Sequence, residues 1–388
     1  MLQGYRRGHR SSAHLDTAPT DGRGPPSSLR SSPTGLFVPI SCGYYTFVLH
    51  SSPRAQTDCP SQGSAGESGK QMMRGEFESL GAIHSVVPTF CPRPISWGAF
   101  KSKPNTYYSL SVYHERVSGP VDPTGFCTML TRLHMRSRSP DNRFGFPVAT
   151  FFGEVLNEKM ACETWEECFT ACLRHMLALD EGINGVDETL VELREELMVR
   201  VVPRLLRPLE SGGRKIKPAL IHGDLCAANA GEADSADGVG SSVMVWRPAA
   251  LFAHNEFELG HWRAVRNGFD SRFIRAYLKI VPISEPKQDF EDRNALYALR
   301  HVIACSIRYP GSAKYRQAIV KEMGALVSRF SPAPEAGLFP GYVEETEQER
   351  WDEAAVFGSS MKVVSSGCAA TRGKPNYKPP VGGKLVKR

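Results

Sequence analysis

The chain has 388 residues, 41% of them hydrophobic and 23% charged. That is enough apolar material for two or three compact units and too much for a wholly disordered polymer. Lys and Arg number 47 against 41 Asp and Glu, a formal charge of +6, which neither requires nor excludes a nucleic acid. No apolar run approaches the roughly 20 residues that span a bilayer, and the first 30 residues lack the apolar stretch of a secretory signal, so the default address is cytoplasmic. Ten cysteines form no C-x-x-C pair and no zinc-site spacing, which reads as free thiols in a reducing compartment.

Residues 1–35 are rich in Ser, Arg, Pro and Gly without apolar period, as in a disordered leader. The β-branched and aromatic run Leu36 to Leu49 predicts strand, and the Ser, Pro and Gly-rich residues 51–68 predict an irregular insert. Ser68 and Gln71 fit a capping box ahead of Met73, Phe77, Leu80, Ile83 and Val87, which recur at helical spacing. Alternating segments around Trp97 and from Tyr107 to Val112 read as strands. Residues 36–115 thus predict a small sheet with one helix.

Helical patterning follows over 116–332: Phe126, Leu130 and Leu133 share a face, and Thr164 with Glu167 makes a second capping box. Leu190, Leu193, Leu197 and Val201 predict a helix stopped near Pro203 and Pro208. A short strand, Ala219 to Ile221, runs into His222-Gly223-Asp224, and an apolar strand from Val243 to Trp246 lies about twenty residues on. Helices return over 273–280 and 293–308, and residues 333–388 form an irregular basic tail.

The chemistry concentrates in P-A-L-I-H-G-D-L-C-A-A-N, residues 218–229. Phosphoryl transfer needs a carboxylate to take the attacking hydroxyl's proton and an amide oxygen on Mg²⁺, an H-x-D-x-x-x-x-N arrangement in kinase catalytic loops. Asp224 and Asn229 have that spacing; a plain strand-end turn is the competing reading.

With F-A-H-N-E-F-E-L-G at 252–260, this segment resembles the fructosamine and ketosamine kinases of the aminoglycoside-phosphotransferase-like group. G-E-F-E-S-L (75–80), L-H-M-R-S-R-S-P-D-N-R-F-G-F (133–146), R-L-L-R-P-L-E-S-G-G-R (204–214) and I-S-E-P-K-Q-D-F-E-D-R-N-A-L-Y (283–297) are similar to its fungal protein-ribulosamine 3-kinase-type members. The resemblance implies an α+β, protein-kinase-like fold with a small β-rich N-lobe (36–115) and a larger helical C-lobe (116–332). It implies ATP and Mg²⁺ as cofactors and phosphorylation of the sugar 3-hydroxyl of ketosamines, small or on glycated protein lysines. No membrane or nucleic-acid partner is expected. Residue by residue, Asp224 matches the catalytic base, His222 the motif histidine with a bracing or direct catalytic role, and Asn229 a magnesium ligand at the nucleotide. Glu76, with Glu78 two positions away, matches the helix glutamate that pairs with a nucleotide-binding lysine. His254, Glu256 and Glu258 shape the substrate cleft or cap a helix.

Two departures stand out. Where the family has a second metal-binding aspartate in F-D-P-A, this chain has V-W-R-P-A, with Arg247 at that position. The nucleotide-binding lysine is expected near Gln62, but no lysine occurs between Met1 and Gly69. These departures support an alternative, a kinase-shaped binding module without phosphotransfer; phosphotransfer would be rescued if Arg247 contacts phosphate directly or if Glu256 or Glu258 swings in.

Overall fold

The computed structural model describes residues 39–40, 44–48, 60–101, 104–114, 116–117, 119–234, 241–264 and 267–330. The leader expected over 1–35 and the tail over 333–388 lie outside the described residues.

The N-terminal lobe is built on five antiparallel strands: β1 (Pro39–Ile40), β2 (Tyr44–Val48), β3 (Pro60–Ala65), β4 (Pro94–Ala99) and β5 (Thr106–Ser111). They lie in the order β1-β2-β3-β5-β4. Here the insert expected over 51–68 is corrected in its second half, because residues 60–65 form the central strand. Proline, serine, glutamine and glycine have little strand preference of their own; pairing on both sides supplies it. Gln62 sits opposite Thr46 on β2 and Ser109 on β5.

Helix α1 (Gly66–Val86) starts at once after β3, two residues before Ser68, with Ala65 as an N-cap that makes no side-chain bond. The capping box expected at Ser68 is therefore absent: the Gly66 N–H donates instead to the Asn105 carbonyl at 2.7 Å. Met73, Leu80, Ile83 and Val87 bury their side chains as their spacing predicts.

The C-terminal lobe begins with β6 (Arg116–Val117) and α2 (Pro123–Arg136), whose first turn is capped by Asp122 accepting the Gly125 N–H at 2.6 Å. Strands β7 (Phe144–Phe146), β8 (Thr150–Phe152), β9 (Val155–Asn157) and β10 (Met160–Cys162) follow. Helix α3 (Trp165–Asn184) carries the Thr164 and Glu167 capping box that its sequence predicts. Helix α4 (Glu188–Glu196) does not stop at Pro203. It passes through a π turn at Leu197–Val201 into α5 (Val202–Leu206), the Val202 N–H reaching back to the Leu197 carbonyl. The wider turn accommodates the proline that would have broken a regular α-helix.

Strands β11 (Ala219–Ile221), β12 (Ala230–Asp234), β13 (Ser241–Val245) and β14 (Leu251–Ala253) complete two small sheets, β10-β7-β14-β11 and β13-β12-β6; β8 and β9 pair as a hairpin. Helices α6 (Glu256–Gly260), α7 (Ser271–Leu278), α8 (Phe290–Arg308) and α9 (Ala313–Phe330) close the lobe. The last has no counterpart among the sequence-predicted helices, yet Ile319, Met323 and Leu326 bury one face of it at helical spacing. No helix among the described residues is long and apolar enough to cross a membrane. One hydrophobic core runs through this lobe, with Phe126, Trp165, Trp262, Tyr277 and Tyr297 buried in it.

The two lobes meet where α1 lies on the segment leading into β8. A Cβ on Gly75 would stand 2.3 Å from the Ala149 carbonyl oxygen and 3.1 Å from the Thr150 Cα, both backbone. Gly75→Ala is expected to lower stability by about 1–3 kcal/mol. Gly182→Ala, on α3 with nothing within 4 Å of the added carbon, is expected to gain up to about 1 kcal/mol from helix propensity. Thermal melts of the two variants test the contact: equal responses would show that α1 is not seated on Ala149.

Candidate active site

Strand β11 pairs antiparallel with β14, and its three residues are buried. The chain then turns sharply at Gly223, where φ is +81° and an added Cβ would lie 2.1 Å from the Ala249 carbonyl oxygen. Only glycine fits that turn. Beneath it, the Glu258 carboxylate accepts two consecutive backbone N–H groups, from His222 at 2.5 Å and Gly223 at 3.0 Å. Burial alone would raise the Glu258 pKa; the nearby His134 imidazole and the His222 backbone N–H outweigh it and hold the group below its ordinary value.

His222 is fully buried. Its Nδ1 accepts the Asp224 N–H at 3.2 Å, so its Nε2, 3.0 Å from the Trp246 carbonyl, is the nitrogen that donates. That is the neutral ring, and burial pushes its pKa down accordingly. Both ring nitrogens face backbone, neither the cleft. Asn229 is also buried, in a 3₁₀ turn at Ala227–Asn229, and its Nδ2 donates to the Asp224 carbonyl at 2.7 Å. With Nδ2 committed, any cation meets this amide through Oδ1.

The side chain that emerges from the loop is Asp224. It lines an open cleft with Met72, Glu76, Phe151, Gly153, Arg247 and Pro248. Burial pushes its pKa up to about 6, against the opposing charges of Arg300 and Arg247. Across the cleft, Glu76 projects from α1 beside the Gly75 contact and is pushed up to about 7 by burial, with Arg247 again opposing. Glu78 is not among the lining residues. The structure thus gathers Glu76, Asp224 and Arg247, and sets His222 and Asn229 behind the loop.

Two supports had no signal in the sequence. Arg300 on α8 donates to the Gly223 carbonyl at 2.7 Å and to Asn157 Oδ1 at 3.3 Å, its guanidinium 4.3 Å from the Phe152 ring centroid. Arg116 on β6 donates to the Ala228 carbonyl at 3.2 Å and the Ala230 carbonyl at 2.5 Å, and lies 4.6 Å from the Trp246 ring centroid.

The question left open for residues 254–258 resolves into buried structure. Glu256 is held by Arg293 at 2.9 and 3.3 Å and also accepts the Ser284 N–H at 2.8 Å. His254 bonds Tyr297 and Ser284, both at 2.9 Å, and burial pushes its pKa down to about 4. Neither Glu256 nor Glu258 can swing into the cleft without breaking these bonds.

The donors do not suit Mg²⁺. A hard dication rests on carboxylates and other oxygens, yet the position expected to supply one carries the Arg247 guanidinium. Among the described residues no group of three or more His, Cys, Asp or Glu side chains could hold a metal. Nor does β3, Pro60–Ala65, offer a lysine to Glu76.

The family model for fructosamine kinase matches residues 64–329. A ketosamine-3-kinase of Mus musculus is 31% identical over 260 residues, covering 60% of this chain and 77% of that protein. Two solved structures share the fold: a protein of Thermobifida fusca assigned as a fructosamine-3-kinase (TM-score 0.57, 17% identity, 76% of this chain and 93% of that one) and a thermostable mutant of the aminoglycoside phosphotransferase APH(4)-Ia in complex with AMP-PNP and hygromycin B (TM-score 0.50, 13% identity, 76% and 93%). The protein-kinase-like lobes, the strand-end loop and these matches agree: the chain belongs to the fructosamine kinase family of kinase-like phosphotransferases.

Proposed function

We propose that the chain transfers the terminal phosphoryl group of ATP to the 3-hydroxyl of a ketosamine, a ribulosyl or fructosyl amine that is free or carried on a glycated lysine. The observation that supports this most is the Asp224 carboxyl, presented to the cleft by a loop whose backbone is held by Glu258, His222, Asn229 and Arg300. As the sugar oxygen forms its bond to phosphorus, Asp224 takes the hydroxyl proton, and the bond from phosphorus to the bridging oxygen breaks to leave ADP. A base with a pKa of about 6 is ionised at neutral pH yet still basic enough to hold that proton. His222 braces the loop through its backbone bonds, and Asn229 fixes the Asp224 main chain. The catalytic work assigned to the protein is positioning and charge placement.

A second reading, a binding module without phosphotransfer, draws on Arg247 in the cleft and on the strand at Gln62 without a lysine. Turnover separates the two. With ATP and a ribulosyl or fructosyl amine, Asp224→Asn is expected to lower the rate of ketosamine phosphate formation by about 10² to 10⁴-fold, the usual contribution of a positioned base. Wild-type product no greater than that of Asp224→Asn would leave only the binding reading.

The Glu76 position yields a pH-dependent test of the missing lysine. Its folded pKa of about 7, against an ordinary 4.5, means that the folded state holds this proton more tightly than the unfolded chain. The associated stability is fully present below about 4.5 and is lost as pH rises through 7. Glu76→Gln cannot ionise, so it is expected to raise the melting temperature at pH 8 and to leave it nearly unchanged at pH 4.5. A variant that melts lower at pH 8 would show that a cation stabilises the Glu76 carboxylate.

A further inference from the structure

The cleft beside Asp224 carries a guanidinium whose position is set by the backbone. Arg247 follows β13 and adopts φ +57°, in the left-handed region that residues with a Cβ take infrequently. Its neighbours are pinned on both sides. The Trp246 N–H donates to the Asn229 carbonyl at 2.9 Å, the Trp246 carbonyl lies 3.0 Å from His222 Nε2, and the Ala249 N–H donates to the His222 carbonyl at 2.9 Å. Arg247 therefore belongs to the same rigid unit as the loop, while its side chain is exposed on the cleft wall with Asp224 and Glu76.

That placement has a charge consequence. The position at which a carboxylate would need a dication to bridge it to phosphate instead presents a permanent cation. A planar guanidinium can donate two parallel hydrogen bonds to a pair of phosphate oxygens, with no ion between. Burial also favours the neutral form of Glu76 across the cleft, which leaves less negative charge to repel an anion than two ionised carboxylates would.

We infer that Arg247 binds the phosphate chain of a nucleoside triphosphate directly, so that the cleft takes nucleotide without a divalent cation. The choice of ligand rests on the phosphotransferase reading above, but binding is measured apart from turnover. Loss of ketosamine phosphorylation with retained binding would sink that reading alone.

The test is calorimetric titration of the full chain with ATP in EDTA and in Mg²⁺, with tripolyphosphate and adenosine as separate probes. ATP is expected to bind in EDTA at least as tightly as in Mg²⁺, and tripolyphosphate to compete with it. Arg247→Gly relieves the left-handed backbone, so it removes the guanidinium without strain; it is expected to weaken ATP in EDTA by about tenfold or more, the scale of a lost bidentate charge-assisted contact. Adenosine affinity is expected to stay unchanged in that variant. Arg247→Lys keeps the charge but not the fork and should fall between. Wild-type binding of ATP only with Mg²⁺, no ATP binding in either buffer, or undiminished binding of ATP by Arg247→Gly in EDTA would each overturn the inference.

Discussion

Two adjacent backbone N–H groups, those of His222 and Gly223, lie buried at the end of a three-residue strand, and one carboxylate satisfies both. Leaving either unpaired would cost on the order of 1–3 kcal/mol. It would also release the turn that presents Asp224. Glu258 is thus the fixed point from which the loop, the cleft wall at Arg247 and the register of β11 against β14 follow. Nearby, His134 Nε2 lies 3.7 Å from the Glu258 carboxylate, and His134 Nδ1 is in turn 2.8 Å from the Tyr277 hydroxyl. Lys217 ties the same region together by donating to three carbonyls at the end of α2, those of His134, Met135 and Ser137, where a helix dipole favours a cation.

A second buried layer lies below. Arg293 and Glu256 form an ion pair with almost no exposure, and the remaining guanidinium donors go to the Pro286 and Ser284 carbonyls. A buried pair of this kind contributes little net stability, but removing one member strands the other. Here each charge is bonded to the other and to backbone, and together they fix the 283–286 segment against α6 and α8. Tyr297 extends the layer, its hydroxyl accepting from Trp165 Nε1 at 2.8 Å and meeting His254 Nδ1 at 2.9 Å. The loop therefore stands on polar contacts set into an apolar core.

Much of this was legible in the sequence where local pattern and tertiary role agree. The strand and loop at 219–229, the capping box at Thr164 and the buried faces of α1 and α2 follow from spacing alone. Legibility failed where neighbours decide the outcome. Strand β3 is Pro-Ser-Gln-Gly-Ser-Ala, a loop composition made into a central strand by β2 and β5. Ser68 looked like a helix cap, but the chain had already entered the helix after Ala65. Arg116 and Arg300 reach carbonyls more than seventy positions away in sequence, and no periodicity marks such a contact in advance. At 254–258 the composition was informative, but only the packed structure distinguishes a carboxylate that braces backbone from one that faces solvent.

The orientation of the His222 ring carries a consequence for proton traffic. One nitrogen receives a hydrogen from the loop's own amide and the other gives one to the Trp246 carbonyl. Adding a proton would turn the receiving nitrogen into a second giver facing an amide that also gives. The imidazole is thereby locked out of acid uptake while the turn is intact, and acidification of the cleft registers on Glu76 and Asp224 without relay through the hinge beneath them.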